Sequence, residues 1–247
     1  GIRQVDIQEA DCTLDLEDLK RKITDKTKLV AVGYASNAVG TINPVAEIIK
    51  LAHAAGALVF IDAVHYAPHG AIDVQALDCD FLVCSTYKFF GPHMGVLFGK
   101  REHLKRIRPY KVRPNTNAIP NCWEWGTMQH ESIAGITACV EYIADLGRGT
   151  SGRKDGTTNV RVLHPSRFSK GGNDAAGASG VKSSRRVAIE AAYEAIHEHE
   201  RGLLETMIAG LRKIPGAKIY GITDPARFHE RCGTIAVRIE NHTPLEL

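Results

Sequence analysis

Apolar residues along the chain alternate between helical spacing and short unbroken runs. Leu14, Leu16, Leu19 and Ile23 recur at helical spacing with acids early and lysines late, which predicts a short amphipathic helix matched to its own dipole. Lys28 to Tyr34 and Ala57 to Asp62 are continuous apolar runs of the kind buried on both faces of a parallel sheet. Between them Pro44 opens a helix carrying Val45, Ile48, Ile49 and Leu51, and Gly56 closes it, so the three segments form a βαβ unit. Asp80 to Ser85 predicts a third strand after a short turn, and Gly95 to Gly99 a fourth that returns past Gly91-Pro92.

Met128 to Leu146 is again helical in pattern, and Arg185 to Leu211 predicts one long amphipathic helix. Lys218 to Tyr220 and Thr234 to Ile239 read as strands of a smaller α+β layer, and no internal repeat is visible. Gly147 to Ser184 is rich in Gly, Ser, Lys and Arg, which predicts a loop or insertion. The expected organisation is an α/β large domain over 1–146 with a mostly parallel sheet, a low-complexity loop over 147–184, and the start of a small C-terminal domain over 185–247.

Composition narrows the setting. With 247 residues, 44% of them hydrophobic, the chain can bury a sizeable core. A formal charge of +3, from 31 basic against 28 acidic residues, is too small and mixed to point to nucleic acid or an anionic membrane. The apolar runs fall short of the roughly 20 residues that span a bilayer. Six cysteines are scattered without a CxxC pair or a Cys/His ligand spacing, so a reduced cytoplasmic protein without a metal site is expected. Both ends read as cut, the first residue being Gly1 and the last segment, His242 to Leu247, an approach to a helix, so the chain is expected to be a fragment.

Ligands of open α/β sheets sit at the carboxyl ends of the strands, which directs attention to the polar residues there. Asp62 ends the second run and is either a turn former or a carboxylate opening into a cleft. Lys88 follows the third strand inside Ser85-Thr-Tyr-Lys-Phe-Phe-Gly-Pro92. Flanked by aromatics, its amine is expected to lie against apolar surface, where the neutral nucleophile needed for Schiff-base formation with an aldehyde cofactor is favoured. A surface lysine with its stem packed on Phe89 is the plainer alternative. His65, Asn37 and Gly126-Thr127 each also suit ordinary turn or cap roles.

Their joint order carries more. S-N-A-V-G-T-I-N-P-V (36–45), F-I-D-A-V-H (60–65), D-V-Q-A-L-D-C-D-F (73–81), C-S-T-Y-K-F-F-G-P-H-M-G (84–95) and W-E-W-G-T-M-Q-H-E (123–131) follow one another in the chain. This order resembles the pyridoxal-phosphate (PLP) dependent class V aminotransferase family, and within it the cysteine-desulfurase-like branch. The resemblance runs from about Leu29 to Ile143 and implies the type I fold of PLP-dependent transferases.

The resemblance implies that Lys88 carries the cofactor and later moves protons at the substrate Cα, and that Asp62 pairs with the pyridinium nitrogen. His65 matches a Gln or His near the phenolic oxygen, and Asn37 a residue on the same side of the ring. Ser85 matches a phosphate contact, Tyr87 stands where many relatives carry histidine, and Thr127 matches a phosphate contact delivered by the neighbouring subunit, which implies a homodimer with shared active sites. A further phosphate loop is implied before residue 1, and a substrate-binding arginine and nucleophilic cysteine after Leu247. None of the six cysteines falls at that nucleophile's place; Cys84 and Cys232 read as core residues. Three functions stay open: a desulfurase-like enzyme on a small amino acid, a PLP aminotransferase or lyase with another substrate, and a fragment that keeps the fold but binds no cofactor.

Overall fold

The fold comes from a computed structural model and is described for residues 1–124, 126–150 and 184–246. Helix α1 (Leu16–Lys22) precedes β1 (Leu29–Gly33), α2 (Val45–Ala54) and β2 (Leu58–Asp62). Then come α3 (Val74–Leu77), β3 (Phe81–Ser85), β4 (Gly95–Gly99) and α4 (Arg101–Arg106). Two long helices follow, α5 (His130–Thr150) and α6 (Ser184–Leu211), and then β5 (Ala217–Tyr220) and β6 (Ala236–Ile239).

The strands β1 to β4 form one sheet in chain order. Strands β1, β2 and β3 are parallel and β4 is antiparallel to β3. The connections explain the directions. Helix α2 supplies the crossover that a parallel neighbour needs, whereas the connection 86–94 is too short for one and turns β4 back. Gly56 adopts φ +74° just past α2, a left-handed conformation that glycine takes without steric penalty. Val45, Ile49 and Ala52 of α2 then pack on Val59, Ile61, Ala63 and Leu82, the buried centre of the large layer.

Below that centre the amino end of β3 is anchored by a buried carboxylate. Asp80 is 2% exposed. It accepts from the Val59 N–H at 2.7 Å, from His53 and His103 at 2.9 Å each, and pairs with Lys100 at 3.1 Å. Burial alone would raise its pKa; the bonds from His53, Val59, His103 and Lys100 outweigh burial and lower it from 3.8 to about 2. A folded-state value below the unfolded one means that the stabilisation is complete above the unfolded pKa of 3.8 and is lost as pH falls towards 2. Discounted for the solvent that reaches His53, it amounts to about 1–2 kcal/mol. Urea midpoints measured across this range should therefore fall more steeply for the wild type than for Asp80→Asn; parallel curves would refute the assignment.

The expected loop over 147–184 is corrected at both edges. Gly147 to Thr150 continue α5, and Ser184 begins α6, while 151–183 lie outside the described residues. Gly147 packs directly on α6 against the Ala188 carbonyl, where a Cβ would find no room. Cys139 and Ile143 of α5 and Ala192 of α6 are buried in this contact. The other end of α6 places Leu204 and Ile208 against Phe228, Ile219 and Ile235, and β5 pairs antiparallel with β6. Among the described residues, no helix is long and apolar enough to cross a membrane.

Candidate active site at the carboxyl edge of the sheet

The register levels the strand ends. Gly33 pairs with Asp62, and Asp62 with Val83, so the segments leaving β1, β2 and β3 emerge side by side. Asn37, Asp62, His65, Ser85, Tyr87 and Lys88 all leave this one edge, although they span 52 positions of sequence from Asn37 to Lys88.

The Lys88 segment is a short 3-10 helix, Thr86–Phe89, closed by Phe90 at φ +74°. Its staple is Thr86, which is fully buried. The Thr86 N–H donates to Met94 at 2.9 Å, its hydroxyl donates to the Pro92 carbonyl, and its own carbonyl accepts from the Gly91 N–H at 2.8 Å. Gly91 must be glycine, because a Cβ there would lie 2.8 Å from the Thr86 Cβ. Helix α5 braces the segment from outside: Cys139 Sγ donates to the Phe89 carbonyl at 2.8 Å, and Gly135 packs on Pro92.

One expectation for Lys88 is overturned. Its side chain is exposed rather than held against apolar surface. A 3-10 helix turns about 120° per residue, so consecutive side chains diverge. Phe89 packs towards Cys139 and Ile143, Phe90 meets Tyr142 edge-on at 5.7 Å, and the Lys88 ammonium is left 5.7 Å from the ring centroid of Tyr87. Tyr87 is itself exposed and stacks on His93 at 5.0 Å.

Asp62 is exposed at the tip of β2. One oxygen accepts from the Val64 N–H at 2.9 Å, which fixes the turn, and among the described residues the other oxygen is open. The turn-forming reading of Asp62 is thus visible in its bond to Val64. His65 is half-buried, with Nε2 2.9 Å from the Thr234 hydroxyl and its ring edge-on to His69 at 5.3 Å. Burial pushes its pKa down, followed by the charges of His69 and Lys88. Ser85 is half-buried at the end of β3 beside Gly95. Thr127 is exposed ahead of α5, and among the described residues no hydrogen bond joins it to the others.

Asn37 is exposed on a turn that is fastened from far along the chain. The Ser36 hydroxyl accepts from the Ala38 and Val39 N–H groups at 3.3 Å, and Gly40 closes the turn at φ +78°. Residues 40–42 then pair with 230–232: Cys232 N–H donates to Gly40 at 2.7 Å and Ile42 N–H to Glu230 at 2.8 Å. Arg231, 2% exposed, donates only to carbonyls here, those of Val39, Ile222, Cys232 and Thr234. Neither Thr86 nor Arg231 stands out in the sequence; the Gly40 and Gly91 that enclose them are the nearest signals.

The family model for the class-V aminotransferases matches residues 2–159. The chain belongs to this family. It is 33% identical to the cysteine desulfurase of Dickeya dadantii over 94% of its own length and 47% of that protein. It is also 40% identical to a probable cysteine desulfurase of Synechocystis over 58% of this chain and 36% of that one. The apo cysteine desulfurase of Thermococcus onnurineus superposes with a TM-score of 0.72 at 22% identity, covering 98% of this chain and 51% of that structure. The cysteine desulfurase CsdA of Escherichia coli superposes at 0.61. The chain has the type I fold of PLP-dependent transferases and spans about half the length of the curated relatives it matches. The residues at the sheet edge suit the cofactor of a class-V aminotransferase: an open carboxylate oxygen on Asp62, an amine on Lys88 without an ion pair among the described residues, and the Ser85 hydroxyl at the same edge.

Proposed function

We propose that this class-V aminotransferase chain forms the cofactor-binding part of a PLP-dependent cysteine desulfurase that acts on a small amino acid in the cytoplasm. The observation that carries this reading is the convergence of Asp62, His65, Ser85 and Lys88 on one sheet edge in a chain similar to cysteine desulfurases over nearly its whole length. Six free thiols fit a reducing compartment, and a net charge of +3 fits a small substrate better than nucleic acid or a membrane surface.

When bound, PLP supplies an electron sink for charge developing at the substrate Cα. Lys88 would hold the cofactor, and its amine would take and return the Cα proton. The open oxygen of Asp62 would face the pyridine nitrogen and favour its protonated form. His65, fixed by Thr234, donates near the phenolic oxygen, with Asn37 on the same side. Ser85 and Tyr87 bind phosphate, and Thr127, which stands apart from the others, serves the site of a second protomer in a homodimer. Cys79, Cys84, Cys139 and Cys232 all have their thiols pushed up by burial, so none of these is a ready sulfur nucleophile.

Addition of PLP followed by borohydride reduction tests this directly. The expected result is a visible absorbance band before reduction and one pyridoxyl group on Lys88 in the peptide map afterwards. No band, or a label on a different lysine, would overturn the assignment. Sulfide release from cysteine by the holoenzyme separates a desulfurase from an aminotransferase or lyase with another substrate.

A further inference from the structure

Around His65, which the candidate site also uses, the fold assembles a further group of donors. His65 and His69 follow β2, Cys232 precedes β6, and one donor atom from each lies within 4.8 Å of the other two. Cys232 is 3% exposed, and the side chain of His69 16%. A carboxylate completes the arrangement: Glu200 of α6 lies 2.8 Å from His69 Nδ1, and its own side chain is 30% exposed. Glu200 reaches this place because Tyr193, two turns earlier on α6, donates to the Ala67 carbonyl at 2.8 Å and holds the helix over the 65–69 segment.

We propose that His65, His69 and Cys232 form a binding site for a divalent transition metal, best suited to Zn²⁺, with Glu200 as the carboxylate that orients His69. Two imidazoles and one thiolate are a borderline-soft donor set that favours zinc over magnesium or calcium. A carboxylate on the outer nitrogen is the usual partner of a metal-ligating histidine, fixing its tautomer and ring direction. Three protein ligands leave one coordination position for water. Burial, followed by the charge of Glu200, pushes the Cys232 thiol up, and binding as a thiolate would release its proton to solvent. The spacing of these residues in sequence is not a ligand motif, since Cys232 joins the histidines through the pairing of 40–42 with 230–232 and through the Thr234–His65 contact.

Cobalt(II) reports on such a site without any cofactor, so the test is made on PLP-free protein; the site shares His65 with the function proposed above, but this readout does not require that function to hold. One equivalent of Co²⁺ per chain is expected to give a thiolate-to-cobalt band in the near ultraviolet that one equivalent of Zn²⁺ abolishes. Cys232→Ser should remove the band, and Glu200→Gln should keep it while weakening the affinity about 10–100-fold. Cys79→Ser, a buried cysteine of the sheet core, should change neither. Should Cys232→Ser fail to fold, His69→Asn takes its place, with loss of stoichiometric binding expected. The site is refuted if Co²⁺ gives no band, or if band and affinity survive Cys232→Ser or His69→Asn.

Discussion

Lys88→Ala is expected to leave the chain as stable as the wild type, to abolish the visible absorbance gained with PLP, and to lower turnover of the holoenzyme by at least about 10²–10⁴-fold. Stability should hold because the 3-10 helix does not depend on this side chain. It is stapled by Thr86 and braced by Cys139, while among the described residues the Lys88 ammonium meets the ring of its neighbour Tyr87. Exposed substitutions of this kind usually change stability by no more than about 0.5 kcal/mol. The loss of turnover combines the missing covalent anchor with the missing proton carrier, so added amines should restore part of the activity but not the absorbance of the resting enzyme. Thermal unfolding, PLP titration and cysteine turnover measured on the same preparations check all three parts. An absorbance band that persists in Lys88→Ala would sink the assignment.

The largest loss of stability is expected at Arg231. Its guanidinium is buried without a carboxylate among the described residues and satisfies carbonyls on both sides of the contact, Val39 on one and Ile222, Cys232 and Thr234 on the other. Arg231→Met keeps most of the volume but strands these acceptors, at about 1–3 kcal/mol for each that finds no water, so about 3 kcal/mol or more in total is expected. Arg231→Lys should recover only a part, since an ammonium cannot reproduce the planar fork of donors. Gly40→Ala should be comparably damaging, because its Cβ would lie 2.7 Å from the carbonyl oxygens of both Cys232 and Thr234 at a φ of +78°. Urea unfolding at constant slope gives the measurement; a loss under about 1 kcal/mol in Arg231→Met would show that water replaces the guanidinium.

Much of the architecture was legible because it is local. The runs ending at Gly33, Asp62 and Ser85 are continuous and apolar, and the segment between Pro44 and Gly56 has one helical face, so β1, α2, β2 and β3 follow from spacing alone. Helices α3 and α4 were not legible, being only Val74–Leu77 and Arg101–Arg106. The candidate site was legible as an order of motifs, whereas its supports were not. Thr86 looks like any strand-end threonine, and Glu200 like any acid on a solvent-facing helix. Their partners, Met94 and Pro92 for the first and His69 for the second, are chosen by the folded chain. The environment of Lys88 was misjudged for a related reason: neighbouring aromatics in sequence say nothing of which way a 3-10 turn aims them.

The fastening of 40–42 by 230–232 also dictates a timetable. A nascent chain that has left the ribosome only as far as α6 can already build β1 to β4 and seat Lys88, since every contact needed lies behind it. Gly40 still lacks Cys232, and the turn bearing Asn37 still lacks the guanidinium that reaches Val39. Contacts between such distant residues form late. The turn bearing Asn37 is therefore expected to be fastened after the lysine segment is in place, so that the order of synthesis becomes the order in which the two sides of the candidate site are secured.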